Sequence, residues 1–402
     1  MNRGSTSSRY LITTAFMGFG HLRAAHNLAS LGNGSVVRVD REPLVSLVDK
    51  FVWNVAQKVH TFGSLDAESR NRFLFQRFDE LMKLPDDHTP PSRRAAEFIF
   101  ALNKVGVWKN FSDSLAWRTA PVIHTFYLPA MVSVYRDFRG ANFLLLCDAD
   151  FHRVWVPRDA KGANLKYFVP LARSADRLVS YGVDRDKIFV TGFPLPVSLT
   201  GDGNREESLS DFEMRCKRLT PNSGAQLTVM FSFSGAGAYS SMLADLISNM
   251  ADDLKEERVR IIVSCGSNAN ALQNTLTILS RFGVAGLPVV QTIYDDNLYR
   301  AFDKFNAALK DTDVMTTKPG ELVFYAALGL PMILLRPIGG HEGGNRSYLL
   351  IEEAALDIER PDNFSEWLHE KHRTGKLLAL AHHGYERIPR YGTTEIDKII
   401  LG

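Results

Sequence analysis

Short runs that are apolar throughout alternate, over most of the chain, with stretches whose apolar residues recur at helical spacing. Continuous rather than alternating apolar runs suit strands buried on both faces, and helices between them suit a parallel sheet covered on both sides. Residues 10–16 read as the first strand, Gly18-Phe19-Gly20-His21 as its turn and residues 22–31 as a helix. Further strands are predicted at 35–39, 121–124, 143–147, 167–169 and 187–191. Residues 44–117 differ: Phe, Arg, Asp and Leu at helical spacing, broken at 86–92 around prolines, predict an inserted helical block. A second series then begins. Strands are predicted at 227–233, 260–264, 289–293, 314–316 and 332–335, and helices at 240–254, 270–282, 297–302 and 322–328. The tail from 364 to 400 reads as helical.

The pattern predicts an α/β chain of two Rossmann-like domains facing a cleft, since each half opens on a strand running into a glycine-containing turn. The expected boundaries are 1–198, a linker with a peripheral helix at 199–226, and 227–402, with the last helix crossing back. At 402 residues the chain exceeds the size at which one core stops growing. Lys plus Arg number 47 and Asp plus Glu 45, a net charge of +2 that makes no global case for nucleic acid. The three cysteines, Cys147, Cys216 and Cys265, have neither metal-ligand spacing nor the look of a disulfide framework. The apolar run near residue 10 is too short and broken for a signal-peptide core, and no stretch reaches the ~20 apolar residues of a spanning helix. A cytoplasmic protein is expected, with peripheral contact on the inner face of a membrane left open.

Four segments could carry chemistry. Gly18 and Gly20 would let backbone approach a ligand, and His21 could take a proton from a hydroxyl near neutral pH; a plain strand-to-helix turn is the alternative. Asp148-Ala149-Asp150-Phe151-His152-Arg153-Val154-Trp155 follows a strand, on the edge where α/β sheets bind ligands. Its acids and His152 read as a base, an acceptor-binding set or a metal pair, or else as caps. Ser234-Gly235-Ala236-Gly237 could offer amides to a phosphate, or simply turn. Thr317-Lys318-Pro319-Gly320-Glu321 and Gly339-Gly340-His341-Glu342-Gly343-Gly344-Asn345 follow successive strands, so their polar groups would meet at one sheet edge. His341, Glu342 and Asn345 suit a polyhydroxylated ligand.

In order and spacing these segments resemble the GT-B glycosyltransferases that include monogalactosyldiacylglycerol synthase, the processive diacylglycerol glucosyltransferases and, more distantly, the peptidoglycan GlcNAc transferase. The resemblance runs from about residue 16 to 350. It includes Phe189-Val190-Thr191-Gly192-Phe193-Pro194, which resembles the exit from the first domain, and Gly329-Leu330-Pro331 in the donor-binding core.

It implies a UDP-sugar donor as substrate, with no metal and no cofactor. Ser234, Gly235, Ala236, Gly237, Pro319, Gly320, Glu321, His341, Glu342 and Asn345 would form the donor side. Gly18, Gly20, His152 and Trp155 would face an acceptor hydroxyl, which a lipid could carry. His21 would be the base, Asp148 the second candidate, and a single displacement would invert the anomeric centre. Two departures stand out: His341 replaces the family's Gln, and Phe324 occupies the position of its ribose-binding Glu, with Glu321 the nearest acid. A UDP-sugar 2-epimerase or a non-catalytic sugar-nucleotide-binding protein would use the same fold. Aromatic and basic residues between 51 and 117 suit either membrane docking or a helical core.

Overall fold

The computed structural model describes residues 8–63, 93–201, 205–233, 240–337, 340–358 and 361–402. Two compact units divide it. One comprises residues up to Val197 together with Tyr391–Gly402, and the other is Ser198–Arg390.

The first unit is built on a parallel sheet of six strands in the order β2-β1-β3-β4-β5-β6. These are β1 (Tyr10–Thr14), β2 (Gly34–Arg38), β3 (Val122–His124), β4 (Asn142–Leu145), β5 (Lys166–Val169) and β6 (Ile188–Val190). β1, β3 and β4 are buried along their whole length, which is why their sequences do not alternate. The strand order reverses between β1 and β3, whose residues Thr13 and His124 are register partners. At that reversal the loops leaving the carboxyl ends part to opposite faces of the sheet and leave a crevice.

The second unit repeats the architecture in the order β12-β11-β10-β7-β8-β9. Its strands are β7 (Leu227–Ser232), β8 (Val259–Gly266), β9 (Val290–Tyr294), β10 (Val314–Thr317), β11 (Met332–Leu334) and β12 (Ala355–Asp357). Here the reversal falls between β7 and β10, where Thr317 pairs with Ser232.

Two regions depart from the sequence expectation. The helix Arg205–Leu219 is no peripheral appendage. Its Arg215 is buried, and the guanidinium donates to the carbonyl oxygens of Thr312, Leu328 and Leu309 at 2.8, 2.6 and 2.8 Å. Burial lowers the Arg215 pKa to about 10, which leaves it charged at neutral pH. Phe212, on the same helix, stacks on Tyr385 with ring centroids 3.9 Å apart. The charged composition that suggested an outer helix conceals one buried cation serving three carbonyls. The second departure is β12, which was not expected; it is a short edge strand with only its first residue buried, too little apolar length to stand out.

The tail forms three helices, Phe364–Arg373, Lys376–Arg387 and Gly392–Leu401. The last packs within the first unit, where Asp397 accepts hydrogen bonds from the Tyr10 hydroxyl at 2.9 Å and the Asn33 amide at 3.0 Å.

Candidate functional site

In the first unit, Gly18 takes φ 92°, a backbone region closed to most side chains, and turns the chain from β1 into the helix Phe19–Ala29. Gly20 and His21 lie in that helix's first turn. Ala24 and Ala25 are fully buried, so the helix can lie close to the sheet. His21 is thereby placed beside the sheet reversal, half-buried, with its ring 5.0 Å from that of Phe126 and 5.7 Å from that of Trp155. Phe126 leaves the end of β3, and Trp155 closes the short helix Arg153–Trp155 that follows β4. Tyr127 and Trp53 extend this wall, 5.3 Å from Trp155 and 6.3 Å from Phe126 respectively. Burial raises the Tyr127 phenol to about 12, so it stays neutral.

The segment bearing Trp155 is pinned from beneath. Arg153 is buried and donates to the carbonyls of Val156 and Pro157. The hydroxyls of Ser174, Tyr181 and Tyr167 donate to the carbonyls of Ala149, Phe151 and Trp155 at 2.9, 3.1 and 3.3 Å. Asp150 receives two bonds of 3.0 Å from Arg177 and belongs to this scaffold rather than to the ligand face. His152 is buried, and its Nδ1 accepts the Val154 N–H at 3.3 Å, which makes it the cap of the short helix. Of the calls on this segment, Trp155 joins His21, half-buried Asp148 sits on the same loop, and His152 serves the backbone.

A buried polar chain runs underneath. Thr13 Oγ1 lies 2.5 Å from Nδ1 of His124, whose Nε2 lies 2.9 Å from Oδ1 of Asn142. Asn142 uses its amide N–H groups on Ser133 and Asn164, so its oxygen accepts from His124 and the imidazole is neutral with the proton on Nε2. Burial lowers the His124 pKa to about 3.

In the second unit the loop after β10 meets the helix Gly340–Ile351. The Lys318 ammonium donates to Glu342 at 2.8 Å, and the Asn345 amide donates to the Pro319 carbonyl at 3.1 Å. Both Glu342 and Asn345 are buried. They clamp the Lys318-Pro319-Gly320 loop and set the direction of the ammonium. Pro319 and Gly320 are buried in that loop, Glu321 is half-buried at the start of a 3₁₀ helix (Glu321–Leu328), and His341 is exposed. Gly329 closes that helix at φ 69°, and an added Cβ would meet the Phe212 ring at 2.3 Å. Phe324 is 1% exposed with its ring 6.3 Å from that of Tyr348, so position 324 is core. Ser234, Gly235, Ala236 and Gly237 lie outside the described residues, directly after β7.

Sequence reasoning left out Phe126, Tyr127 and Trp53, and placed Lys318 in the donor-binding core only as part of the Lys318-Pro319-Gly320 match, with no role of its own. Phe126 follows a strand that was predicted, so the carboxyl-end rule applied to β3 would have found it. A cavity of about 960 Å³ in the second unit, lined by residues such as Gln226, Arg258 and His369, precedes the strands β7 and β8 and is remote from these loops. Among the described residues no group of three or more His, Cys, Asp or Glu is arranged to hold a metal ion, and no helix is long and apolar enough to cross a membrane.

Residues 283–383 match a family described as a domain of unknown function (DUF6938). The chain is 23% identical over 376 residues to the processive diacylglycerol beta-glucosyltransferase of Bacillus subtilis (strain 168), covering 90% of this chain and 86% of that protein. It is 24% identical to the enzyme of the same name from Bacillus pumilus (strain SAFR-032), with the same coverage. Among solved structures, the UDP-GlcNAc 2-epimerase from Neisseria meningitidis bound to UDP-GlcNAc aligns over 98% of this chain and 99% of its own. The TM-score is 0.52 at 11% identity, a likeness of fold. With two parallel six-stranded sheets of this topology and relatives over nine-tenths of its length, the chain is a GT-B glycosyltransferase resembling the processive diacylglycerol glucosyltransferases.

Proposed function

We propose that the protein transfers a sugar from a UDP-sugar to a hydroxyl of a lipid acceptor, with inversion at the anomeric carbon, while associated peripherally with a membrane. The observation that carries this reading is the setting of His21: a half-buried imidazole beside the β1/β3 reversal, walled by Phe126 and Trp155. An imidazole can accept a proton near neutral pH, and an aromatic wall favours an acceptor with apolar substance beside its hydroxyl. The diacylglycerol in the names of the curated relatives agrees with that chemistry.

The acceptor oxygen attacks the anomeric carbon as the bond from that carbon to the UDP phosphate oxygen breaks. The hydroxyl proton passes to His21, with Asp148 as the alternative acceptor. Charge gathers on the departing diphosphate, where the Lys318 ammonium, aimed by Glu342, and the amides opening the Glu321–Leu328 helix offset it. Exposed His341 would meet the sugar from these loops. With Phe324 in the core, a carboxylate on the ribose would have to come from Glu321. The UDP-sugar is a substrate, and we propose no further cofactor.

The test is a calorimetric titration against UDP, GDP and a panel of their sugars, followed by transfer to diacylglycerol in mixed micelles. Selective UDP-sugar binding with a glycosylated lipid product of inverted anomeric configuration is expected. Conversion of the donor without acceptor would instead make the protein an epimerase. Binding without either reaction would make it a non-catalytic receptor for the nucleotide sugar.

A further inference from the structure

The cavity of about 960 Å³ in the second unit has the helix Phe364–Arg373 as one wall. Its other walls are the turns leading into β7 and β8, residues 222–226 and 257–258. It therefore lies at the amino ends of these strands, on the edge of the sheet opposite to the Lys318 loop. Its volume is that of a small-molecule site, roughly 300–1,000 Å³.

One buried carboxylate holds the walls together. Asp253, on the helix Ser240–Lys255, is 3% exposed and accepts from the Ser365 hydroxyl, from His369 at 3.1 Å and from Arg258 at 2.5 Å. Arg258 also pairs with Glu256, and the Gln226 amide donates to the Glu257 carbonyl, which ties the two turns to each other. His369 and Arg258 are thus spent on the scaffold. Other lining groups are not. Trp367 is 5% exposed, and its indole Nε1–H has no acceptor among the described residues. His372 Nε2 is likewise buried without a partner. The side chains of Glu257 and Arg373 are exposed and make no ion pair or hydrogen bond among the described residues. A buried donor left without an acceptor is rare in folded proteins and marks a place where something outside the chain supplies one.

The charges on the walls decide its chemistry. Glu257, Glu366 and Glu370 oppose a phosphate or a carboxylate, and Arg373 opposes a bare cation. A neutral ligand that both donates and accepts satisfies the acids and the donors together. A sugar does so at every hydroxyl, each of which carries one O–H and two lone pairs.

We infer that this cavity is a second carbohydrate site, which takes a neutral mono- or disaccharide away from the donor loops. Glu257 and Glu370 accept from its hydroxyls, while Arg373, His372 and the Trp367 N–H donate to them. A sugar bound there leaves the Lys318 loop open, so it does not compete with a nucleotide. The inference needs only this unit and stands apart from the transferase reading.

The experiment is calorimetry of the full chain with glucose, galactose, maltose and cellobiose, each with saturating UDP present. Inorganic phosphate and spermidine, under the same conditions, represent the anionic and cationic alternatives. Saturable binding of at least one sugar is expected. Glu257→Gln with Arg373→Gln should weaken it at least about tenfold, and because both side chains are exposed the double variant should melt as the parent does. Trp367→Phe, which keeps a ring in the core and removes the N–H, should weaken it as well. Lys318→Gln should leave sugar binding unchanged, so a failed donor reading and a failed cavity are told apart. Absence of saturable binding by all four sugars overturns the inference, as does equal binding by the parent and the double variant. So does a sugar that UDP displaces, which would belong to the donor loops, or binding of phosphate or spermidine that the double variant loses.

Discussion

Each unit has its own parallel six-stranded sheet, and the two differ in what they place at its reversal. In the first, the rings of Phe126 and Trp155 stand beside His21, Tyr127 packs on Trp155, and hydrogen bonds pin the backbone of the 148–157 segment that carries Trp155. In the second, the loop after β10 is held by an ion pair and an amide, Lys318 to Glu342 and Asn345 to Pro319, with the rings withdrawn into the core. An apolar wall costs little to keep dry and favours a partner with an apolar body. A braced ammonium favours an anion. On the proposed function, the same architecture is furnished for two chemically different ligands, an acceptor in the first unit and a donor in the second.

The largest expected effect would break that division. His21→Ala should lower kcat by roughly 10²- to 10⁴-fold with UDP-sugar affinity unchanged by calorimetry; loss of donor affinity at a normal residual rate would assign His21 to binding. Arg215→Met should destabilise the second unit by about 3–5 kcal/mol in urea unfolding, since it strips three buried carbonyls of their donor. A change of less than about 1 kcal/mol would restore the helix Arg205–Leu219 to a peripheral role.

The pH response sharpens the contrast within the first unit. His124 has a folded pKa of about 3 against an ordinary 6.5, so the unfolded chain takes up the proton first. The stability it confers is complete above pH 6.5 and is lost as pH falls from there towards about 3. Denaturant titrations across that window should show a steep decline that His124→Gln flattens.

On the donor side, Lys318→Gln should weaken UDP-sugar binding roughly ten- to hundredfold, and Glu342→Gln by less, because the ammonium remains but loses its guide. The smallest effect expected is that of Trp155→Phe, a few-fold rise in acceptor KM with kcat and donor affinity preserved. A fall in kcat instead would mean that Trp155 holds the His21 ring in place for catalysis.

Much of this was legible in the residues. Uninterrupted apolar runs such as those of β1 and β7 announce strands covered on both faces, because no exposed face demands polar alternation. The glycine at 18 and the histidine three residues on could be singled out, since a turn at the end of a first strand is a local event. Lys318-Pro319-Gly320 and Glu342 could be named as polar groups at neighbouring strand ends.

Their relation could not. Whether Glu342 faces a ligand or Lys318 depends on how the helix Gly340–Ile351 lies against the loop after β10, a contact across 24 positions of chain. His152 looked like a ligand-facing group until its ring was seen to accept the Val154 N–H. Arg215 read as one more surface charge until the fold closed three carbonyls around it. In the helix Leu47–Gly63, composition left membrane docking and core equally open, and tertiary packing buried Trp53 and left Phe51 in water. Local spacing is written along the chain and so determines strands, turns and helices. Which polar group is consumed inside the protein and which remains for a ligand is decided by partners far away in sequence, and only the tertiary structure brings them together.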